Sequence, residues 1–247
     1  MGGSPWGTSN VMAKVMGIVK TNNTVYKEKR YHGYCARLET HIERMKVLGM
    51  VNITVLAAGS IFTGSVHEPI KGTKNPQKML QTGIPFTKKP VALQFDYKVK
   101  MSDRENRIRA TGFSKITDVP GKDYPAAILL LQKRWEDANG NVYAKRIGTM
   151  VTYYYHSTDW KNNATYEIMY GDITNRPEYK SHMMRLQATE SYTVNSKGES
   201  VPIHEVAWGD ENDVPTHMCL QFTSSHGGAY IGSPGNTLWI DNVKLVY

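Results

Sequence analysis

Hydrophobic positions in this chain recur at every second residue. In "VALQFDYKV" (91–99), Val91, Leu93, Phe95, Tyr97 and Val99 fall on one side, with Ala92, Gln94, Asp96 and Lys98 on the other. That period of two belongs to a half-buried strand. "YCARLETHI" (34–42) alternates likewise: Tyr34, Ala36, Leu38, Thr40 and Ile42 point one way, Arg37, Glu39 and His41 the other. "AAILLLQKRW" (126–135) is apolar on both faces, which predicts a central strand covered on both sides. The turn signal "EDANGN" follows and "VYAKRIG" returns from it, so this region predicts a hairpin. "ATYEIMY", "THMCLQF" and "TLWIDNVKLVY" add strands, whereas helical periodicity is weak and "PQKMLQTG" supports one or two turns. Short strands separated by Pro/Gly turns such as "TGIPFTKKP" and "TDVPGKDYP" predict an all-β jelly-roll β-sandwich. The pattern indicates one domain over residues 1–247, with a polar, turn-rich stretch at 187–215 read as a long inserted loop.

Composition narrows the class. Hydrophobic residues make up 40% of the 247 and charged residues 21%, as in an ordinary globular chain. No apolar run approaches the roughly 20 residues of a transmembrane helix. No charged and then apolar leader opens the sequence; the Met1–Ser4 start reads as added, and the missing export signal as trimmed. Cys35 and Cys219 match no metal or redox spacing, which favours two buried thiols over a disulfide. The net charge of +8 suggests polyanions, but the basic groups "KEKR" and "FTKKP" lack interleaved aromatics, which disfavours nucleic acid and leaves an acidic polymer open.

No strong catalytic motif is present. Ser224, Ser225 and His226 in "FTSSHGG" are adjacent without a nucleophile-elbow pattern and read as a solvated turn. The eight histidines show no metal-ligand spacing, and "GSPGNT" precedes a strand rather than a phosphate-binding helix. Glycoside hydrolysis needs two facing carboxylates, for which Glu39, Asp96, Glu136, Glu167, Glu205 and Asp210 are candidates. Sugar binding needs less: aromatic faces and a few hydrogen-bonding groups on a rigid platform. The leading candidate is Trp208 in the expected loop, beside Asp210 and Asn212, followed by Trp135 at a strand end. In "TYYYH", Tyr154 must lie opposite Tyr153 and Tyr155, so at least one of these rings should be exposed, while Trp160 and Trp239 read as core.

The closing "SSHGGAYIGSPGNTLWIDNVKLVY" resembles the end of the putative carbohydrate metabolism domain, a family of exported proteins in glycan-foraging Gram-negative bacteria. "WGTSN", "ARLET", "AAGSIFTGSV", "GIPFTKKPVALQFDYKVK" and "STDWKNNATYEIMYGDITNRPEY" are similar in the same order. The resemblance implies a galactose-binding-like jelly roll, an extracytoplasmic setting at the periplasm or outer-membrane surface, and often a lipoprotein. Family members often carry two adjacent acids in the last strand, whereas here Asp241 precedes Asn242. Their lipoprotein signal and small preceding domain are not in this sequence. In such a fold the last strand closes a sheet beside early strands. Strict alternation puts Asp241 on a buried face with Trp239, Val243, Leu245 and Tyr247, where it needs partners: N–H groups of "GSPGN", or a structural calcium as in related jelly rolls. The expected function is glycan binding; the alternatives are a glycoside hydrolase with a shallow carboxylate groove and an adhesion module that binds protein.

Overall fold

The computed structural model describes residues 4–15, 18–47, 51–67, 75–112, 115–184 and 191–247. The main strands are β1 (Val25–Arg30), β2 (Gly33–Val47), β3 (Val51–Ala58), β4 (Ser60–Val66), β5 (Ala92–Lys100), β6 (Ala126–Glu136), β7 (Val142–Tyr153), β8 (Thr158–Glu167), β9 (Ser200–Trp208), β10 (His217–Thr223) and β11 (Thr237–Val246). One sheet runs Trp6–Thr8, β4, β10, β6, β7, β9, Tyr192–Val194; the other runs Thr111–Gly112, β3, β2, β11, β5, β8, with β1 on β2. The result is the expected all-β sandwich. "PQKM" forms a single 3-10 turn. The stretch read as a loop at 187–215 instead holds Tyr192–Val194 and β9, which pairs in parallel with β7; its residues 187–190 lie outside the described ones. Its polar, turn-rich composition concealed a strand whose partner is about 60 residues away in the chain.

The inter-sheet core takes Leu129, Leu131, Met150, Tyr154, Leu220 and Phe222 from the first sheet and Leu38, Leu93, Phe95, Val99, Leu238 and Ile240 from the second. Phe95 meets Phe222 edge-on at 4.9 Å. Each fully buried side chain of this size contributes roughly 1.5–3 kcal/mol. On the outer face of the first sheet, Ile128, Leu130 and Val151 are covered by Met169, Ile173 and Met183, so "AAILLL" is apolar on both sides for the predicted reason. Val91 and Tyr34 continue the alternation of their segments but are 55% and 59% exposed, beyond the covered part of the sheet. Cys35 and Cys219 are free thiols.

The last strand lies between β2 and β5, yet it breaks the alternation. Tyr97 pairs with Ile240 and Asp96 with Asp241, but Gln94 pairs with Lys244. The extra residue is a β-bulge, and Asn242 takes it up at φ 51. Leu238 and Ile240 therefore face the core before the bulge, and Val243 and Leu245 after it. Trp239 and Asp241 lie on the outer face, and Tyr247 is 64% exposed, which corrects the single shared face that strict alternation predicts. A second shift interrupts the β5–β8 pairing, between Phe95↔Ala164 and Tyr97↔Lys161, with Asn163 also at φ 51.

Asp96 sits between these two bulges. Its Oδ1 accepts the Asn163 N–H at 2.6 Å, and its Oδ2 accepts the Asn242 amide and Arg30 Nη1, each at 2.8 Å. Arg30 Nη1 also reaches Asp241 Oδ2 at 2.8 Å, Nη2 bonds Asn162 Oδ1 at 2.6 Å, and the guanidinium lies 3.7 Å from the Trp160 ring. Asp241 thus takes its charge partner from a guanidinium; the N–H of Ser233 in "GSPGN" serves Asp123 instead. Burial pushes the Asp96 carboxyl up, but the Asn163, Asn242 and Arg30 bonds outweigh it and hold the group below its ordinary range.

Removing Arg30 leaves two carboxylates facing each other, so Arg30→Met should lower unfolding stability by about 3–5 kcal/mol. In an Asp96→Asn/Asp241→Asn background the same substitution should cost clearly less in urea melts; an equal loss would show that charge is not the cause. The stability contributed by Asp96 is present above its unfolded pKa of about 3.9 and lost as pH falls through the lower folded value. The difference between wild type and Asp96→Asn should therefore shrink below about pH 4.

Candidate functional site

The first sheet carries an aromatic row on three neighbouring strands. Trp135 pairs with Tyr143 across the "EDANGN" hairpin, and Tyr143 pairs with His204 of β9. The Trp135 and Tyr143 rings stack at 5.8 Å and 21°, and Tyr143 and His204 lie 5.6 Å apart at 37°. Trp135 is 43% exposed and His204 is open to solvent. A bulge creates this face. Leu131 pairs with Gly148 but Gln132 with Arg146, so Ile147 is the extra residue. Past it, β7 turns Tyr143 and Lys145 to the side of Lys133 and Trp135, while Ala144 and Arg146 go to the reverse side with Gln132.

The polar groups of the face are held locally. Lys133 and Lys145 are register partners directly beside the Trp135–Tyr143 pair. Lys133 Nζ bonds Asp213 Oδ1 at 2.8 Å. That bond, the Asp210 N–H and the nearby Lys145 charge lower the Asp213 carboxyl pKa. Asp137 accepts the N–H groups of Asn139 and Asn141 at 2.9 Å and the Tyr143 hydroxyl at 3.4 Å, fixing the hairpin end.

The other sequence-predicted residues fall elsewhere. Trp208 lies on the reverse side, 5.4 Å from the Arg146 guanidinium. Beneath it, Arg146 and Glu205 form an ion pair with both side chains 2% exposed; Arg146 also donates to the Met183 carbonyl at 2.6 Å, and Gln132 to Glu205 at 3.0 Å. The indole thus covers a buried ion pair, a folding role the sequence did not reveal. Asp210 and Asn212 are exposed, and Asp210 caps its own turn through the Asn212 N–H at 2.8 Å. That turn delivers Asp213 to Lys133. Tyr154 is buried in the core, and burial raises its hydroxyl pKa well above the ordinary value. Tyr153 stacks on His182 at 4.1 Å, while Tyr155 is 45% exposed and edge-on to Tyr124 at 4.7 Å. Trp160 and Trp239 are half-buried on the outer face of the second sheet, against Arg30 and Glu28.

"FTSSHGG" is no solvated turn. Ser224 and Ser225 are 0% and 4% exposed, because Ser224 bonds Thr40 and the Gly59 N–H, and Ser225 donates to buried Asp123 at 2.9 Å. Asp123 also accepts the Ser233 N–H at 2.8 Å and the Asn236 amide at 3.2 Å, tying both closing loops together. Among the hydrolase candidates, Glu39 pairs with Arg37, Asp96 with Arg30, Glu205 with Arg146, and Glu136 with Ser196. Tyr143, His204, Asp123 and Arg30 escaped sequence reasoning. Tyr143 alone had a signal there, since counting outward from the hairpin turn puts it opposite Trp135.

Comparison with known proteins adds the family. The sequence model described as a putative carbohydrate metabolism domain matches residues 2–246. The chain belongs to that family. No curated protein matches it. Among solved structures, a putative glycoside hydrolase from Bacteroides thetaiotaomicron is 20% identical with a TM-score of 0.57. The match covers 98% of this chain but 62% of that one, so this family member spans about three fifths of its neighbour's length. At that identity the likeness speaks for the fold, and the family gives the chemistry its subject: a role concerned with glycans.

Trp208→Ala should destabilise the domain, by about 1–3 kcal/mol, because the Arg146–Glu205 pair loses its cover. Chemical denaturation measures it; an unchanged midpoint would remove the folding role assigned to the indole.

Proposed function

We propose that this domain binds glycans without cleaving them, through the Trp135–Tyr143–His204 row. The observation that carries the reading is the row itself: two stacked rings and an imidazole in register on three adjacent strands, with solvent above them. A pyranose ring offers an apolar C–H face of matching size, and Lys133, Lys145, Asp137 and Asp213 border the rings to meet its hydroxyls. Rigid strands hold the rings in place, so little ordering entropy opposes binding. The family's link to carbohydrate metabolism supports the same conclusion. An extracytoplasmic setting, periplasmic or at the outer surface, belongs to this proposal, because polymeric glycans do not cross a membrane intact. The platform is shallow, so affinity falls in the micromolar-to-millimolar range, some 4–8 kcal/mol.

Trp135→Ala should weaken saccharide binding about tenfold or more, on a glycan array and by calorimetry, with an unchanged thermal midpoint. Undiminished binding in that variant would move the site off this row. Release of reducing ends from a polysaccharide panel, lost on substitution of a Glu or Asp, would replace the binding reading with hydrolysis.

A further inference from the structure

Resting on that reading, we infer that the platform selects negatively charged saccharides: a sugar ring on Trp135 and Tyr143, its carboxylate or sulfate against Lys145 and Lys133. The strands set these two lysines directly across from each other. Like charges in that position repel. Asp213 relieves Lys133 alone, at 2.8 Å. The Lys145 side chain is exposed, and its ammonium makes no hydrogen bond or ion pair among the described residues. It reaches Asp213 only through space. A cation without a hydrogen-bonded or ion-pair partner therefore stands two register steps from the exposed indole, on the same face. Each ring has its charge on the same side. Trp135 and Lys133 are two residues apart on β6, and Tyr143 and Lys145 two apart on β7. A rise of about 3.3 Å per residue sets the rings and the lysines about 6–7 Å apart along the strands. That spacing suits one pyranose unit whose ring lies on the aromatics while an acidic substituent reaches toward the ammonium groups. Asp213 is the built-in competitor, since it holds Lys133 when no anion is bound. The wider chain agrees, with 30 Lys and Arg against 22 Asp and Glu.

The test pairs an oligogalacturonate with its methyl ester, which keeps the ring and removes the charge. Chondroitin sulfate serves as the sulfate arm, and calorimetry is run at physiological salt. The oligogalacturonate, the sulfated chain or both should bind about tenfold more tightly than the methyl ester, and which of the two does so names the anion. Lys133→Gln/Lys145→Gln should erase that preference, so that the acidic probes bind no more tightly than the ester. Lys29→Gln/Lys244→Gln, at exposed sites on the other sheet, should keep the preference. Trp135→Ala should weaken every probe. If acidic and neutral probes bind equally, or if the remote lysine pair lowers the preference as much as the local one, this inference fails and glycan binding stands. If no probe binds the wild-type chain, both readings fail together.

Discussion

A buried carboxylate in the second sheet sets the terms for the strands around it. Asp96 cannot stay charged inside the protein without partners, and each of its partners comes from a different strand. Asn163 on β8 and Asn242 on β11 provide bonds only because each sits at a bulge with positive φ, a conformation asparagine tolerates better than most residues. Arg30 arrives from the end of β1 and pairs with both Asp96 and its register partner Asp241. The β1–β2 hairpin and the last strand are thereby joined through one guanidinium. The asparagine at 242 acquires a reason too, since an acid there would bring a third carboxylate to the cluster.

The same device operates in the first sheet with a different result. The bulge at Ile147 turns alternate residues of β7 over, so one side receives Arg146 and the other Tyr143 and Lys145. On the Arg146 side the sheet must be closed, because a guanidinium 2% exposed needs Glu205, the Met183 carbonyl and a covering indole. On the other side the strands run past the core, and their residues stay open. The closed polar layer and the aromatic row are opposite faces of one stretch of sheet. Rigidity on one side is what lets rings on the other hold a fixed spacing.

This arrangement also separates acids that support the fold from acids free to meet a ligand. Asp96, Asp123 and Glu205 are consumed by buried hydrogen bonds and ion pairs, and the serines and histidine of the closing loops hold Asp123 in place. Asp137 and Asp213 border the open face, each hydrogen-bonded at both oxygens and still reached by solvent. Fold likeness to a solved protein does not say which of these acids would meet a ligand.

The sequence by itself determined the elements. Period-two alternation in 91–99, the doubly apolar "AAILLL" and the "EDANGN" hairpin were legible, because each depends on neighbours in the chain and on which side meets water; the place of the closing strand beside early strands followed from the family resemblance. Tertiary structure alone decided the rest. Alternation cannot register a bulge, so Trp239 and Asp241 changed faces at Asn242. Polarity cannot reveal a distant partner strand, so β9 read as a loop and Trp208 as a free indole. Tyr143 and His204 join Trp135 only through pairing register, and Arg30 meets Asp241 from 211 residues away. Such long-range neighbours are chosen by the packing of the whole sandwich, which no local stretch of the chain encodes.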